Sequence, residues 1–165
     1  TDHCRPDRAQ RILGSKNAHF AKLRQAVGVR PIEPAVSLAH ALKKSGRFLA
    51  LVTAEDEQTA ELALAALALD TCFAFVVSGI DSKLPNKPSP DLYLEAARRF
   101  GAGSSHCLAI EDSANGVKSA CQAGFLCIAV PNRFTDSQSF EGAIVIDSCA
   151  TLAGFFFGAA NEGLH

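Results

Sequence analysis

The sequence predicts an α/β fold, a parallel sheet covered by helices on both faces. Two observations carry that prediction. Short continuous apolar runs, such as Phe48-Leu49-Ala50-Leu51-Val52 and Cys107-Leu108-Ala109-Ile110, recur along the chain. A strand buried on both faces reads as such a run and not as an alternation. Between the runs lie helix-patterned stretches with their own start and stop signals, and strands alternating with helices imply βαβ units.

Taken in order, residues 16–27 and 34–45 read as helices, the second ended by Gly46. The run 48–52 reads as a buried strand ending at Thr53. A helix follows over 57–69, then a short strand near 75–77. The loop 79–87 leads into a helix from Pro90 to Phe100, opened by Ser89-Pro90-Asp91 as N-cap, first-turn proline and first-turn acid. Cys107 to Ile110 is the next strand, 114–123 the next helix, and 125–130 a further strand. Ala143 to Ile146 is a last short strand before an apolar tail, 152–160.

Composition bounds the answer loosely. A chain of 165 residues, 48% hydrophobic, suits one domain with a real core. A formal net charge of −1 with mixed signs gives no reason to expect nucleic acid or an anionic membrane as partner. No apolar run is long enough to span a bilayer, and no stretch has the pattern of a signal peptide. Cys4, Cys72, Cys107, Cys121, Cys127 and Cys149 form no C-x-x-C pair. Cys107 and Cys127 lie in apolar runs and read as small buried thiols in a reducing intracellular compartment, cytoplasm or organelle matrix. The chain starts at Thr1 and has no methionine, so it is expected to be a processed product or a fragment.

In parallel α/β sheets the site lies outside the carboxyl ends of the strands. That rule selects Thr53, the loop before Lys87, and Glu111-Asp112. Each also has a plain structural reading: a polar strand end, a solvated loop lysine, and a helix-capping cluster.

The conjunction is more specific than its parts. Asn86-Lys87-Pro88-Ser89-Pro90-Asp91, followed by Ile110-Glu111-Asp112-Ser113-Ala114-Asn115-Gly116-Val117, resembles the last two motifs of the haloacid dehalogenase superfamily of phosphoryl-transfer enzymes. The closest branch is the β-phosphoglucomutase-like and phosphoglycolate-phosphatase-like group. The resemblance covers approximately residues 16–147 and is sharpest over 86–131. It implies that Thr53 binds the transferred phosphoryl group and that Lys87 neutralises phosphate and an aspartyl nucleophile. It further implies that Asp112 is a Mg²⁺ ligand, with Glu111 beside it in the first or second shell.

Two departures stand out. That superfamily's nucleophile lies in an Asp-x-Asp-Gly-Thr segment, and here no aspartate has another two residues later. The absent motif supplies nucleophile, general acid/base and a further metal ligand. Glu55 also stands where relatives carry a small hydroxyl residue, and a carboxylate there repels phosphate.

The resemblance thus implies an incomplete Rossmann-like parallel sheet missing its central first strand, with 1–27 as a remnant of a helical cap and 28–165 as the core. Strands 48–52 and 107–111 are then expected about 9–10 Å apart, with no ladder between them. Two functions follow. One is a Mg²⁺-dependent phosphatase or phosphomutase acting on a small phosphorylated metabolite, inactive as this chain unless the N-terminal part is supplied. The other is a degenerate domain serving as a structural or interaction subunit with a protein partner. Two features bear on the second: Leu62 and Leu69 lie opposite Leu64 and Leu67 on helix 57–69, and Phe155-Phe156-Phe157 marks the tail, where packing of a final helix on the sheet is expected.

Overall fold

The structure, a computed structural model, describes residues 31–158. The predicted helix 16–27 and the cap remnant 1–27 lie outside the described residues. Five α-helices are described: α1 (Glu33–Lys44), α2 (Glu57–Ala66), α3 (Asp91–Phe100), α4 (Ala114–Gln122) and α5 (Cys149–Phe157). They alternate with strands β1 (Leu49–Thr53), β2 (Phe73–Ser78), β3 (Leu108–Glu111), β4 (Leu126–Ala129) and β5 (Ile144–Val145).

The strands form two parallel sheets, one of β1 and β2 and one of β3, β4 and β5 in that order. Among the described residues no ladder joins β1 to β3. Backbone direction shows that both strands turn an edge to the gap that pairs with no other strand among the described residues. The carbonyl of Thr53 accepts from Gly79 N–H on the β2 side, and that of Glu111 accepts from Val130 N–H on the β4 side. Alternate residues of a parallel strand bond to opposite sides. The backbone groups of Val52 and Ile110 therefore face away from their paired neighbours.

Helices hold the two sheets together across that gap. On one face, α3 and α4 pack Leu92, Ala96, Tyr93, Val117 and Ala120 over Val77, Ala109, Cys127 and Ala129. On the other, α1 places Ala39 with Leu64 and Val76, and Leu38 with Ile128 and Leu152. Each face thus carries helices, and α1 and α3 each touch both sheets, while Leu108 and Ile110 of β3 stay exposed.

Several local expectations change. Helix 57–69 stops at Ala66: Ala68 takes a left-handed φ of 55° and turns the chain back, so Leu69 is buried in the core from outside the helix. Of the four leucines that seemed to give two apolar faces, only Leu62 remains exposed. Ser89 does not cap a backbone N–H of α3; its hydroxyl donates to the Asp91 carboxylate at 2.5 Å, and Pro90 is the N-cap. Cys107 precedes β3 and is only half-buried, donating to the Gly103 carbonyl, whereas Cys127 is buried as expected. The last helix starts earlier, at Cys149 behind a Ser148 cap, and it packs through Leu152; Phe155 is 76% exposed.

Candidate active site

The strand-end residues selected by the sequence are held by three loops. After β1, the Thr53 hydroxyl accepts from Glu55 N–H at 3.1 Å, turning the chain towards α2. Asp56 caps that helix by accepting from Thr59 N–H, and Asp81 reaches over from the β2 loop to accept from Glu57 N–H at 2.6 Å. Buried Ser78 ties the same two loops together. Its hydroxyl donates to the Glu55 carbonyl and accepts from the N–H groups of Ile80 and Asp81. The end of β1 is therefore rigidly placed, while the Glu55 side chain stays exposed.

Lys87 comes from the loop before α3 and turns inward. Its ammonium donates to the Val52 carbonyl at 3.0 Å and to Glu111 Oε1, so it touches the ends of both strands that border the gap. The Lys87 and Glu111 side chains are only 12% and 7% exposed. The expectation of a solvated loop lysine is thereby excluded.

Glu111 is confined on every side. Tyr93, from α3, donates its hydroxyl to the same Oε1 that Lys87 binds. A Cβ on Gly116, in the first turn of α4, would lie 1.9 Å from Glu111 Oε2. Gly116 is thus required by close approach: no side chain fits between this carboxylate and the helix. Ser119, one turn further along α4, donates to the Ser89 carbonyl at 2.5 Å and fixes the lysine loop to the same helix.

Asp112 behaves differently from its neighbour. It is exposed, and its Oδ2 accepts from Asn132 Nδ2 at 2.9 Å. Among the described residues no cation binds it, and no group of three His, Cys, Asp or Glu side chains is arranged to hold a metal. The two carboxylates thus differ: both partners of Glu111 converge on Oε1 while α4 packs against Oε2, whereas Asp112 faces solvent with Asn132 on one oxygen.

Tyr93 is the principal group the sequence reading missed. Its phenol is pushed well above the ordinary range, first by burial and then by the charge and hydrogen bond of Glu111. The available signal was a lone tyrosine on an apolar helix face, since a buried phenol needs an acceptor. Asn132 carried no signal, because it meets Asp112 only through the loop after β4. Cys127, beneath the site, has its thiol pushed up to about 12, mainly by burial and then by Cys121 and Glu111.

Comparison with known proteins places this geometry. The haloacid dehalogenase-like hydrolase family model matches residues 8–124. The plasmid-borne protein CbbY of Cupriavidus necator is 33% identical over 134 residues, covering 79% of this chain and 52% of that protein. A 61-residue stretch, 37% of this chain and 16% of the relative, is 48% identical to the bifunctional riboflavin kinase/FMN phosphatase of Arabidopsis thaliana. Among solved structures, CbbY from Rhodobacter sphaeroides in complex with phosphate superposes with a TM-score of 0.79 at 30% identity, covering 92% of this chain and 68% of that one. The chain spans about half the length of the Cupriavidus relative. With its family motifs meeting at the carboxyl ends of parallel strands, this chain belongs to the haloacid dehalogenase-like hydrolases.

Proposed function

We propose that this chain carries the phosphate-binding side of a phosphoryl-transfer site for small phosphate esters. One observation carries the reading: the Lys87 ammonium is buried at the mouth of the gap between β1 and β3, beside Thr53. An ammonium has three donors. Two are used on Val52 and Glu111, which leaves one for an anion arriving at the strand ends. Phosphoryl transfer depends mainly on positioning and charge neutralisation. Thr53 adds a hydroxyl at the same strand end.

The donor set suits a Mg²⁺ held by one carboxylate, with water and phosphate oxygens completing its shell. Asp112 would hold it, and Glu111 would act through Lys87 instead of on the metal. When bound, the ion would neutralise charge on the transferring group. Asn132 orients the Asp112 carboxylate, and the exposed Glu55 disfavours anions near the end of β1.

The sequence holds no Asp-x-Asp nucleophile segment. Turnover therefore requires a carboxylate-bearing extended strand in the gap, running parallel to β1 and β3, and the 165-residue chain by itself is inactive. The inner edges of β1 and β3, which pair with no strand among the described residues, support this. The five described cysteines are free thiols, which suits a reducing compartment, and no described helix is long and apolar enough to cross a membrane. A purely structural role for the domain rests on the same missing nucleophile.

The test is binding of inorganic phosphate with Mg²⁺ by calorimetry, alongside hydrolysis of p-nitrophenyl phosphate and a panel of sugar phosphates. Phosphate binding that is lost in Lys87→Ala and weakened in Asp112→Ala, without turnover, is the expected result. Absence of phosphate binding would overturn the site. Turnover abolished by either substitution would overturn the inactivity.

A further inference from the structure

Tyr93 is the single tyrosine of a chain that contains no tryptophan. It is 5% exposed, with its ring edge-on to Phe125 at 5.3 Å between centroids. The Lys87 ammonium lies 5.3 Å from the centre of the same ring. A phenol in a core needs only some acceptor. Here the acceptor is the very oxygen, Glu111 Oε1, that also holds Lys87.

Two donors on one buried carboxylate oxygen compete for its negative charge. The phenol takes part of that charge, so Glu111 holds the ammonium less tightly than it would alone. Glu111 cannot relieve the competition by moving towards α4, because Gly116 is already in contact with Oε2. We infer that Tyr93 is a positioning residue for Lys87: by sharing Glu111 Oε1 it keeps the ammonium from being fully neutralised and leaves its charge available at the mouth. The assignment of phosphate as the anion rests on the proposed function; the coupling of Tyr93 to Lys87 does not.

Acetylation of lysines in the folded 165-residue chain, quantified by peptide mass spectrometry, reads this coupling without any ligand. Exposed Lys83 and Lys118 serve as internal references. In Tyr93→Phe the carboxylate binds the ammonium alone, and Lys87 should react about fivefold more slowly, the equilibrium shift of a single hydrogen bond. Replacing the one tyrosine by 3-fluorotyrosine strengthens the donor while keeping ring and hydroxyl, and should accelerate Lys87. Opposite responses of Lys87, with Lys83 and Lys118 unchanged, support the inference, since a merely structural tyrosine would lower the melting temperature without that pattern. An unchanged or faster Lys87 in folded Tyr93→Phe overturns it. Should that variant fail to fold, the fluorotyrosine protein decides, and no acceleration there overturns it. Inorganic phosphate should slow acetylation of Lys87 in the unmodified chain. Lack of protection would sink the phosphate reading, while the two substituted proteins still judge Tyr93.

Discussion

The ammonium of Lys87 lies 3.0 Å from the carbonyl oxygen of Val52, a backbone group of β1 that faces the gap and not the neighbouring strand. The contact satisfies an edge acceptor that the sheet leaves open. It also carries a positive charge to the place where β1 and β3 stop short of each other. The same ammonium is bound to Glu111, so one side chain touches both borders of the gap.

Removing that ammonium leaves Glu111 buried with only Tyr93 as donor. Breaking a buried ion pair typically costs 3–5 kcal/mol, and Lys87→Ala should lose about 3 kcal/mol because the phenol remains. Urea unfolding of Lys87→Ala, Glu111→Gln and the double variant measures it. Additive losses would show that the two side chains are not coupled.

Gly116→Ala should be net destabilising, although alanine is the better helix former by about 1 kcal/mol. The new Cβ would meet Glu111 Oε2 at 1.9 Å, so the carboxylate must swing away from Lys87 and Tyr93. Overpacking of this kind costs roughly 2 kcal/mol. A chain as stable as the parent in thermal unfolding would contradict the packing described.

The chain should lose stability in alkali. Cys127 and Tyr93 are both held protonated when folded, the thiol up to about 12 and the phenol higher still. Unfolded, they ionise near pH 8.5 and pH 10. Raised folded values give a contribution present in full below the unfolded values and lost as pH rises through the folded ones. Stability should thus fall from about pH 9 upward. With one tyrosine and no tryptophan, phenolate absorbance should appear together with loss of the far-ultraviolet helix signal. Phenolate absorbance developing in a still-folded chain would refute the burial of Tyr93.

The last helix should depend on Leu152 and not on its phenylalanines. Leu152 is 1% exposed between Leu38 and Ile128, and Leu152→Ala should cost about 3 kcal/mol. Phe155 is 76% exposed, so Phe155→Ser should be close to neutral. The reverse order in urea unfolding would place the aromatic run in the core.

The sequence by itself determined the α/β class, the order of the elements and the candidate positions Thr53, Lys87, Glu111 and Asp112. It did so because apolar runs, helix signals and short motifs are local, and parallel topology carries their chemistry to one end of the sheet. It also showed that no Asp-x-Asp segment is present, since such a segment can be searched for by spacing alone. Tertiary structure decided what each of those groups does. Glu111 and Asp112 are adjacent in the chain, yet alternation along β3 buries one against Tyr93 and Lys87 and leaves the other exposed beside Asn132. The left-handed turn at Ala68 removed an apparent second apolar face that helical periodicity could not resolve. Tyr93 and Gly116 became site residues only through packing, because a shared carboxylate oxygen and a missing Cβ are relations between elements, and no window of the sequence contains both partners.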